Sequence, residues 1–429
     1  MDINKIKKIH FIGIGGIGVS AIARMFLDRG IEVSGSDTEE SEITKELADM
    51  GAKVFYGHKA ENLSSDADLV IYTIAIDPNN PEFLKAKELN IETKTYSQML
   101  GIISEGYYTV AISGTHGKTT TTAMLAKVAV DAGLDPTVIV GSLLKDSGSN
   151  LVVGKSNLFI VEACEYKRSF LDLKPNILVI TNIEADHLDY YKDLADIQSA
   201  FKELVDKMGE EDFVVCNPRD AKVKPVIENA KCKIVDYTKA KEIKNLKVAG
   251  EYNQQNAKVA FAVAEILKVE EEKALKLLAD FEGVWRRFEY KGNTESGVEV
   301  YDDYAHHPTE IQAVLKATRD KFSGQKIIVV FQPHLYSRTK LLLETMATSF
   351  TNVDQVLVAP IYAAREENDP SINNKILADE INKNTSNAQA FEGFDEIKQY
   401  LKENTGKDDI ILTIGAGDVF KIGESLIGK

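Results

Sequence analysis

Two stretches of this chain carry a buried strand into a glycine-rich loop and straight on into a helix, and this arrangement restricts the fold more than any other feature. The first is HFIGIGGIGVSAIARMF, with Gly13, Gly15, Gly16 and Gly18. The second is YYTVAISGTHGKTTTTAML, with Gly114 and Gly117 ahead of Lys118, Thr119 and Thr120. A strand ending in such a loop leaves free N–H groups at the helix start, which suit phosphate oxygens. Strand–loop–helix units of this kind build parallel sheets flanked by helices.

The rest of the chain keeps that texture. IEVSGSD, DLVIYTIAI, NLFIVEAC, NILVITNI, DFVVCN, GVEVYDDYA, KIIVVFQP, QVLVAP and DIILTIGAG read as strands. PEFLKAKELN and NAKVAFAVAEILKV read as helices between them. No repeat of roughly 20–50 residues interrupts the pattern. The fold class expected is α/β in three domains: a Rossmann-like N-terminal domain over 1–105, a P-loop ATPase-like central domain over 106–285, and a Rossmann-like C-terminal domain over 286–429. A length of 429 residues agrees with several cores rather than one.

Composition narrows the function. A net charge of −15 argues against broad binding to nucleic acid or to an anionic membrane surface. Apolar runs such as Ile327 to Phe331 fall far short of the ~20 residues of a membrane span. MDINKIKKIHFIGIGG runs directly into a glycine loop and predicts no signal peptide. Cys164, Cys216 and Cys232 form no CxxC pair, so a reducing cytoplasm is the expected compartment.

The first loop, with Asp37 at the end of the next strand, suits any pyrophosphate. NAD, with Asp37 on a ribose hydroxyl, and a UDP-sugar both fit it. The second loop places Lys118 where it can reach terminal phosphates and a threonine hydroxyl where it can hold Mg²⁺. It departs from the general P-loop, whose first glycine would stand at Ile112.

GTHGKTTT resembles the ATP loop of the Mur ligases, and GIGGIGVSAIA resembles the first loop of their alanine-adding members. TNIEADHLDYY, GEYNQQNA, GVWRRFE, DDYAHHPTE, FQPHLYSRT and GAGDV continue the resemblance in order over the whole chain. It implies an enzyme that uses ATP and Mg²⁺ to join L-alanine to the carboxylate of UDP-N-acetylmuramate in peptidoglycan synthesis, acting as a monomer or homodimer. A free carboxylate resists an amine because its leaving group would be oxide; an acyl phosphate formed from ATP removes that obstacle.

The same resemblance implies residue roles. Gly15, Gly16, Gly18, Asp37, His58 and Thr73 would hold the UDP-sugar. Gly114, Thr115, His116, Gly117, Lys118, Thr119, Thr120, Asn253, Asn256, Arg286, Asp302 and Asp303 would hold ATP. Metal ligands would come from Thr119, Glu162, Glu165 and His187, with the choice between the two glutamates open. Lys118, His187, Arg286 and His306 would act in the reaction, Arg286 by swinging onto the transferring phosphate. His334 and Arg338 would bind the amino-acid carboxylate, for which an arginine fork is apt. Asn182 would brace the region by hydrogen bonds. Thr309 is the expected cap of the helix TEIQAVLKATRD, ahead of an Asp or His of the preceding block. His116, His187, His306, His307 and His334 lie in these blocks and His58 in the segment YGH that resembles a UDP-sugar contact, while His10 alone lies in a plain strand.

The block EACEYKRSF departs from the family's usual acidic run there without touching Glu162. Three rivals compete: a ligase that joins a whole peptide to the same sugar, an NAD-dependent dehydrogenase, and a nucleotide switch. The last two leave one glycine loop without work.

Overall fold

The computed structural model describes residues 3–145, 148–188, 190–364 and 366–428. Among them three sheets form, each from short strands rich in β-branched residues. The first has the order Lys53–Tyr56, Glu32–Asp37, Lys8–Ile12, Leu69–Tyr72, Glu92–Thr95, all parallel. The order reverses between Lys8–Ile12 and Leu69–Tyr72, where an α/β sheet opens a crevice for a ligand. Gly13 and Thr73 stand at that opening.

The second sheet runs Lys233–Asp236, Phe213–Cys216, Ile177–Ile180, Tyr108–Ser113, Leu158–Glu162, Thr137–Ile139, Leu151–Val152. Only its last pair is antiparallel. Its central strands, such as ILVI at Ile177–Ile180, are buried on both faces, as helices packed on either side require. The second glycine loop leaves Tyr108–Ser113, in the middle of this sheet.

The third sheet has the order Glu289–Asn293, Glu299–Asp303, Ile410–Ile414, Ile327–Phe331, Gln355–Val358, Ala388–Ala390, with an antiparallel first pair. Ile327, Val329 and Phe331 enter one core and Ile328 and Val330 the other, so alternation feeds both faces. Asp303, Phe331 and Ile414 end neighbouring strands. The DDYAHHPTE, FQPHLYSRT and GAGDV blocks therefore emerge at one edge.

The chain forms two compact units. Residues 1–242 and 256–278 hold the first two sheets, and residues 243–255 and 279–429 hold the third. In the first unit one core runs from Phe11 and Phe26 to Phe159 and Phe201. A buried polar link crosses it: Arg24 Nη1 donates to Asn150 Oδ1 at 2.7 Å, Arg24 also pairs with Glu46, and Asn150 donates to the Ile17 carbonyl.

Most expected strands and helices are present, but DLVIYTIAI is a strand only over Leu69–Tyr72. The Thr73 carbonyl accepts from Ile76 N and turns the chain into a loop. Lys53–Tyr56 and Glu92–Thr95, not foreseen, are short edge strands: KVFY is only half-buried, and ETKT carries no apolar residue.

Candidate active site

The second glycine loop is shaped by what lies beneath it. Gly114 (φ +124°) and Gly117 (φ +84°) adopt left-handed backbone, and a Cβ on Gly114 would stand 2.1 Å from Thr181 Oγ1. Asn182 braces the loop as expected: its Oδ1 accepts from His116 N at 2.9 Å, its Nδ2 donates to the His116 carbonyl at 3.0 Å, and its own carbonyl accepts from Thr115 N at 3.0 Å. The N–H groups that open the helix Lys118–Asp131 are thereby presented as a cradle.

Lys118 folds back over this cradle. Its Nζ donates to the carbonyls of Gly114 (2.6 Å) and Thr115 (3.0 Å) and pairs with both oxygens of Glu165, at 3.0 and 2.9 Å. Burial would lower its pKa, but Glu165 and Glu162 outweigh burial and hold the ammonium above its ordinary value. Lys118 is therefore charged, with a carboxylate partner that an incoming phosphate can replace.

Glu162 and Glu165 face different partners. Glu162 Oε1 accepts from Thr119 Oγ1 at 3.1 Å, and its Oε2 accepts from Gly141 N at 2.9 Å. Glu165 is 2 % exposed, is engaged by Lys118, and lies 3.8 Å from His187 Nε2. A hydroxyl and a carboxylate side by side make the hard oxygen set that suits Mg²⁺, so Thr119 and Glu162 fit the ion as they stand. His187 sits at φ +54° with its ring 4.8 Å from that of Tyr166. Cys164, between the glutamates, is an exposed free thiol.

The first loop turns at Gly13 (φ +80°), and Asp37 Oδ2 accepts from Gly15 N at 2.8 Å. Asp37 thus holds the loop's shape here. Gly16, Gly18 and Thr73 line a cavity of about 350 Å³ whose other walls include Tyr96, Gly141, Glu162 and Cys164. One space therefore leads from the pyrophosphate-type loop to the carboxylate beside the second loop. Tyr96, packed against Gly18, went unrecognised in the sequence. It lies outside any motif and reaches the cavity by tertiary packing. His58 is outside the cavity lining, with its Nδ1 2.9 Å from Ser36 Oγ.

In the second unit several expectations change. Arg286 is 3 % exposed; its Nε donates to Asp302 Oδ2 at 2.8 Å, its Nη1 to the Gly417 carbonyl at 2.7 Å, and its Nη2 to the Gly415 carbonyl. Trp285, Tyr304 and Phe420 surround the guanidinium. Each of the three guanidinium nitrogens is thus held within its own unit, and the expected swing onto a phosphate would have to break these bonds. Asp302 also accepts from Thr413 Oγ1 at 2.6 Å, and Asp303 accepts from the Phe288 and Ala305 amides, each at 2.7 Å. Both carboxylates are buried at a strand end, and each of their oxygens accepts one hydrogen bond within this unit. The cap of the helix Pro308–Lys321 is His307 in a capping box with Glu310, not Thr309, because Pro308 takes the first helical position.

His306 and His334 lie together, ring centres 6.0 Å apart, and His334 Nδ1 is 3.3 Å from Arg338 Nη1. Tyr362 stacks on His334 at 5.6 Å. This group joins the DDYAHHPTE and FQPHLYSRT blocks at one edge. Asn253 Nδ2 donates to the Ala249 carbonyl at 2.6 Å, and Asn256, one turn further along the helix Glu251–Ile266, lies behind Gly117.

Comparison with known proteins agrees with this layout. The chain matches the models "Mur ligase family, catalytic domain" over residues 8–108, "Mur ligase middle domain" over 112–282, and "Mur ligase, glutamate ligase domain" over 286–417. It is 44% identical to a UDP-N-acetylmuramate–L-alanine ligase of Clostridium kluyveri, covering 100% of this chain and 99% of that protein. It is 42% identical to that of Clostridium acetobutylicum, over 99% and 98%. Among solved structures it resembles a UDP-N-acetylmuramate–alanine ligase of Thermotoga maritima, with a TM-score of 0.82, 29% identity and 98% of each chain covered. A murein peptide ligase of Psychrobacter arcticus, at 21% identity and a TM-score of 0.73, shares the fold. The chain belongs to the Mur ligase family.

Proposed function

We infer that this chain is an ATP-dependent ligase that joins L-alanine to the carboxylate of UDP-N-acetylmuramate, releasing UDP-N-acetylmuramoyl-L-alanine, ADP and phosphate in peptidoglycan synthesis. The observation that carries the reading is full-length identity of 44% to ligases bearing that substrate pair in their name. The geometry supports it, because a single cavity joins the first glycine loop to Glu162, next to the Lys118 loop.

The residues divide the work. The helix Ile17–Asp28 offers its opening N–H groups, that of Gly18 among them, to the pyrophosphate, since those of Gly15 and Gly16 are taken by Asp37 and by the Gly13 carbonyl. The sugar extends along the cavity past Tyr96 towards Glu162. The second loop receives ATP, and Lys118 exchanges Glu165 for a phosphate oxygen. A carboxylate oxygen of the sugar then attacks the γ-phosphorus, ADP departs, and the alanine amine attacks the acyl carbon, expelling phosphate and losing a proton. Thr119 and Glu162 would hold Mg²⁺, which neutralises phosphate charge, with Glu165 and His187 nearby. His334 and Arg338 suit the alanine carboxylate.

No helix among the described residues is long and apolar enough to cross a membrane. On this reading it acts in the cytoplasm as a monomer or homodimer. Phosphate release with UDP-N-acetylmuramate across L-alanine, glycine, L-serine and a tripeptide tests the reading. Turnover should be highest with L-alanine. A preference for the tripeptide, or no ADP with any acceptor, overturns it.

A further inference from the structure

We propose that Glu82 is a positioning residue for nucleotide recognition: through Ser36 it holds His58 protonated on Nδ1, so that Nε2 offers a lone pair to a hydrogen-bond donor on the nucleoside. The inference rests on reading the first sheet as the UDP-sugar domain.

Glu82 lies at the start of the helix Pro81–Glu88 and is completely buried. Its Oε2 accepts from Ser36 Oγ at 2.6 Å and faces His10 Nε2 at 2.9 Å. Its Oε1 accepts from Asn62 Nδ2 at 2.7 Å and from Lys59 N at 3.1 Å. Burial alone would push this carboxyl up, but the hydrogen bonds from His10, Ser36 and Asn62 prevail and hold it below the usual range. Glu82 is thus an anion with four donors and no proton to give.

A count of protons then settles the histidine. Ser36 has one hydroxyl proton and directs it to Glu82. Its Oγ also lies 2.9 Å from His58 Nδ1, so the proton in that contact belongs to the imidazole. Neutral histidine carries a single N–H, which leaves His58 Nε2 as an acceptor. His10 has the opposite arrangement, with Nε2–H towards Glu82 and Nδ1 2.9 Å from Ser34 Oγ. His10 is fully buried, whereas the His58 ring is 23% exposed. It follows Gly57, whose N–H is bonded to the Asp37 carbonyl at 2.7 Å. Of the two imidazoles on Glu82, only His58 stands where a nucleoside can meet it. A lone pair there selects a donor, either a ribose hydroxyl or the imide N–H of uracil.

Nitrogen-15 histidine spectra of the full chain without ligand test the relay directly. The wild type should show His58 as the Nδ1–H tautomer. In Glu82→Gln the new amide donates to Ser36, the hydroxyl turns towards His58, and the Nε2–H tautomer should replace it. UDP affinity should fall about tenfold, the loss of one hydrogen bond, with kcat at saturating substrate unchanged. Ser36→Ala keeps the Glu82–His10 pair and serves if Glu82→Gln does not fold; because Glu82 Oε1 also lies 3.7 Å from His58 Nδ1, it should reduce the Nδ1–H preference and UDP affinity, each less than Glu82→Gln does. Titrations with 2′-deoxy-UDP and N3-methyl-UDP identify the donor, since the analogue lacking it should bind wild type and variants alike. A wild-type His58 protonated on Nε2, or variants that keep both tautomer and UDP affinity, overturn the proposal. A wild type with the Nδ1–H tautomer that binds no UDP supports the relay and overturns the nucleotide reading alone.

Discussion

Lys118 is held by Glu165 and by two carbonyls of its own loop. Lys118→Ala removes the group that would meet ATP, and turnover should fall by roughly a thousandfold. UDP-N-acetylmuramate binding should stay within about threefold of wild type, because it belongs to the other glycine loop. Calorimetric titration beside phosphate release separates these effects, and joint loss in a folded variant would contradict the division. Glu162→Gln keeps shape and loses charge at the Thr119 pair, so the Mg²⁺ needed for half-maximal turnover should rise at least about tenfold. Glu165→Gln should shift it less, and equal shifts would show both carboxylates on the ion. Asp303 carries a pH signature. Burial pushes its carboxyl up to about 6, against Arg287 and the amides of Ala305 and Phe288. An unfolded aspartate titrates near ~4. Between those values the folded state binds more protons than the unfolded, so stability falls as pH rises from about 4 to about 6 and levels off above. The change reaches up to about 3 kcal/mol. Urea titrations across that interval should show the slope, and Asp303→Asn should flatten it.

Gly117 gives the element-scale counterpart, because one residue decides whether loop and helix join. At φ +84° an alanine is strained, and its Cβ would lie 2.4 Å from Asn256 Oδ1. Gly117→Ala should cost about 1–3 kcal/mol and weaken ATP, both visible as a lower melting temperature and a smaller shift on adding nucleotide. Unchanged values would mean that the loop tolerates a different backbone. Glycine loops of this kind were legible because their residue types answer to local backbone demands. The strands Thr137–Ile139 and Leu151–Val152 were not, since two or three residues carry no periodic signal and pair only once the neighbouring strand exists. The His307 cap was misjudged for a similar reason: Pro308 sets the helix start, and only then does His307 stand one residue outside it.

At the scale of the molecule, the first two sheets share one compact unit and the third has its own. Trp285, the sole tryptophan, lies in the second unit, so its fluorescence reports that unit while far-UV circular dichroism reports both. Denaturant curves from the two probes should not coincide; superimposable curves would show one cooperative unit. The sequence by itself determined the α/β class, the two phosphate-type loops and the family motifs, because strand–loop–helix chemistry is written in neighbouring residues. Tertiary structure alone decided which motif residues are engaged within the protein. Arg286 and Asp302 satisfy each other, Asp303 is taken by two amides, and Glu82, outside every motif, gathers four donors brought together from distant segments. Buried polar groups must find partners, and those partners exist only after the chain has folded.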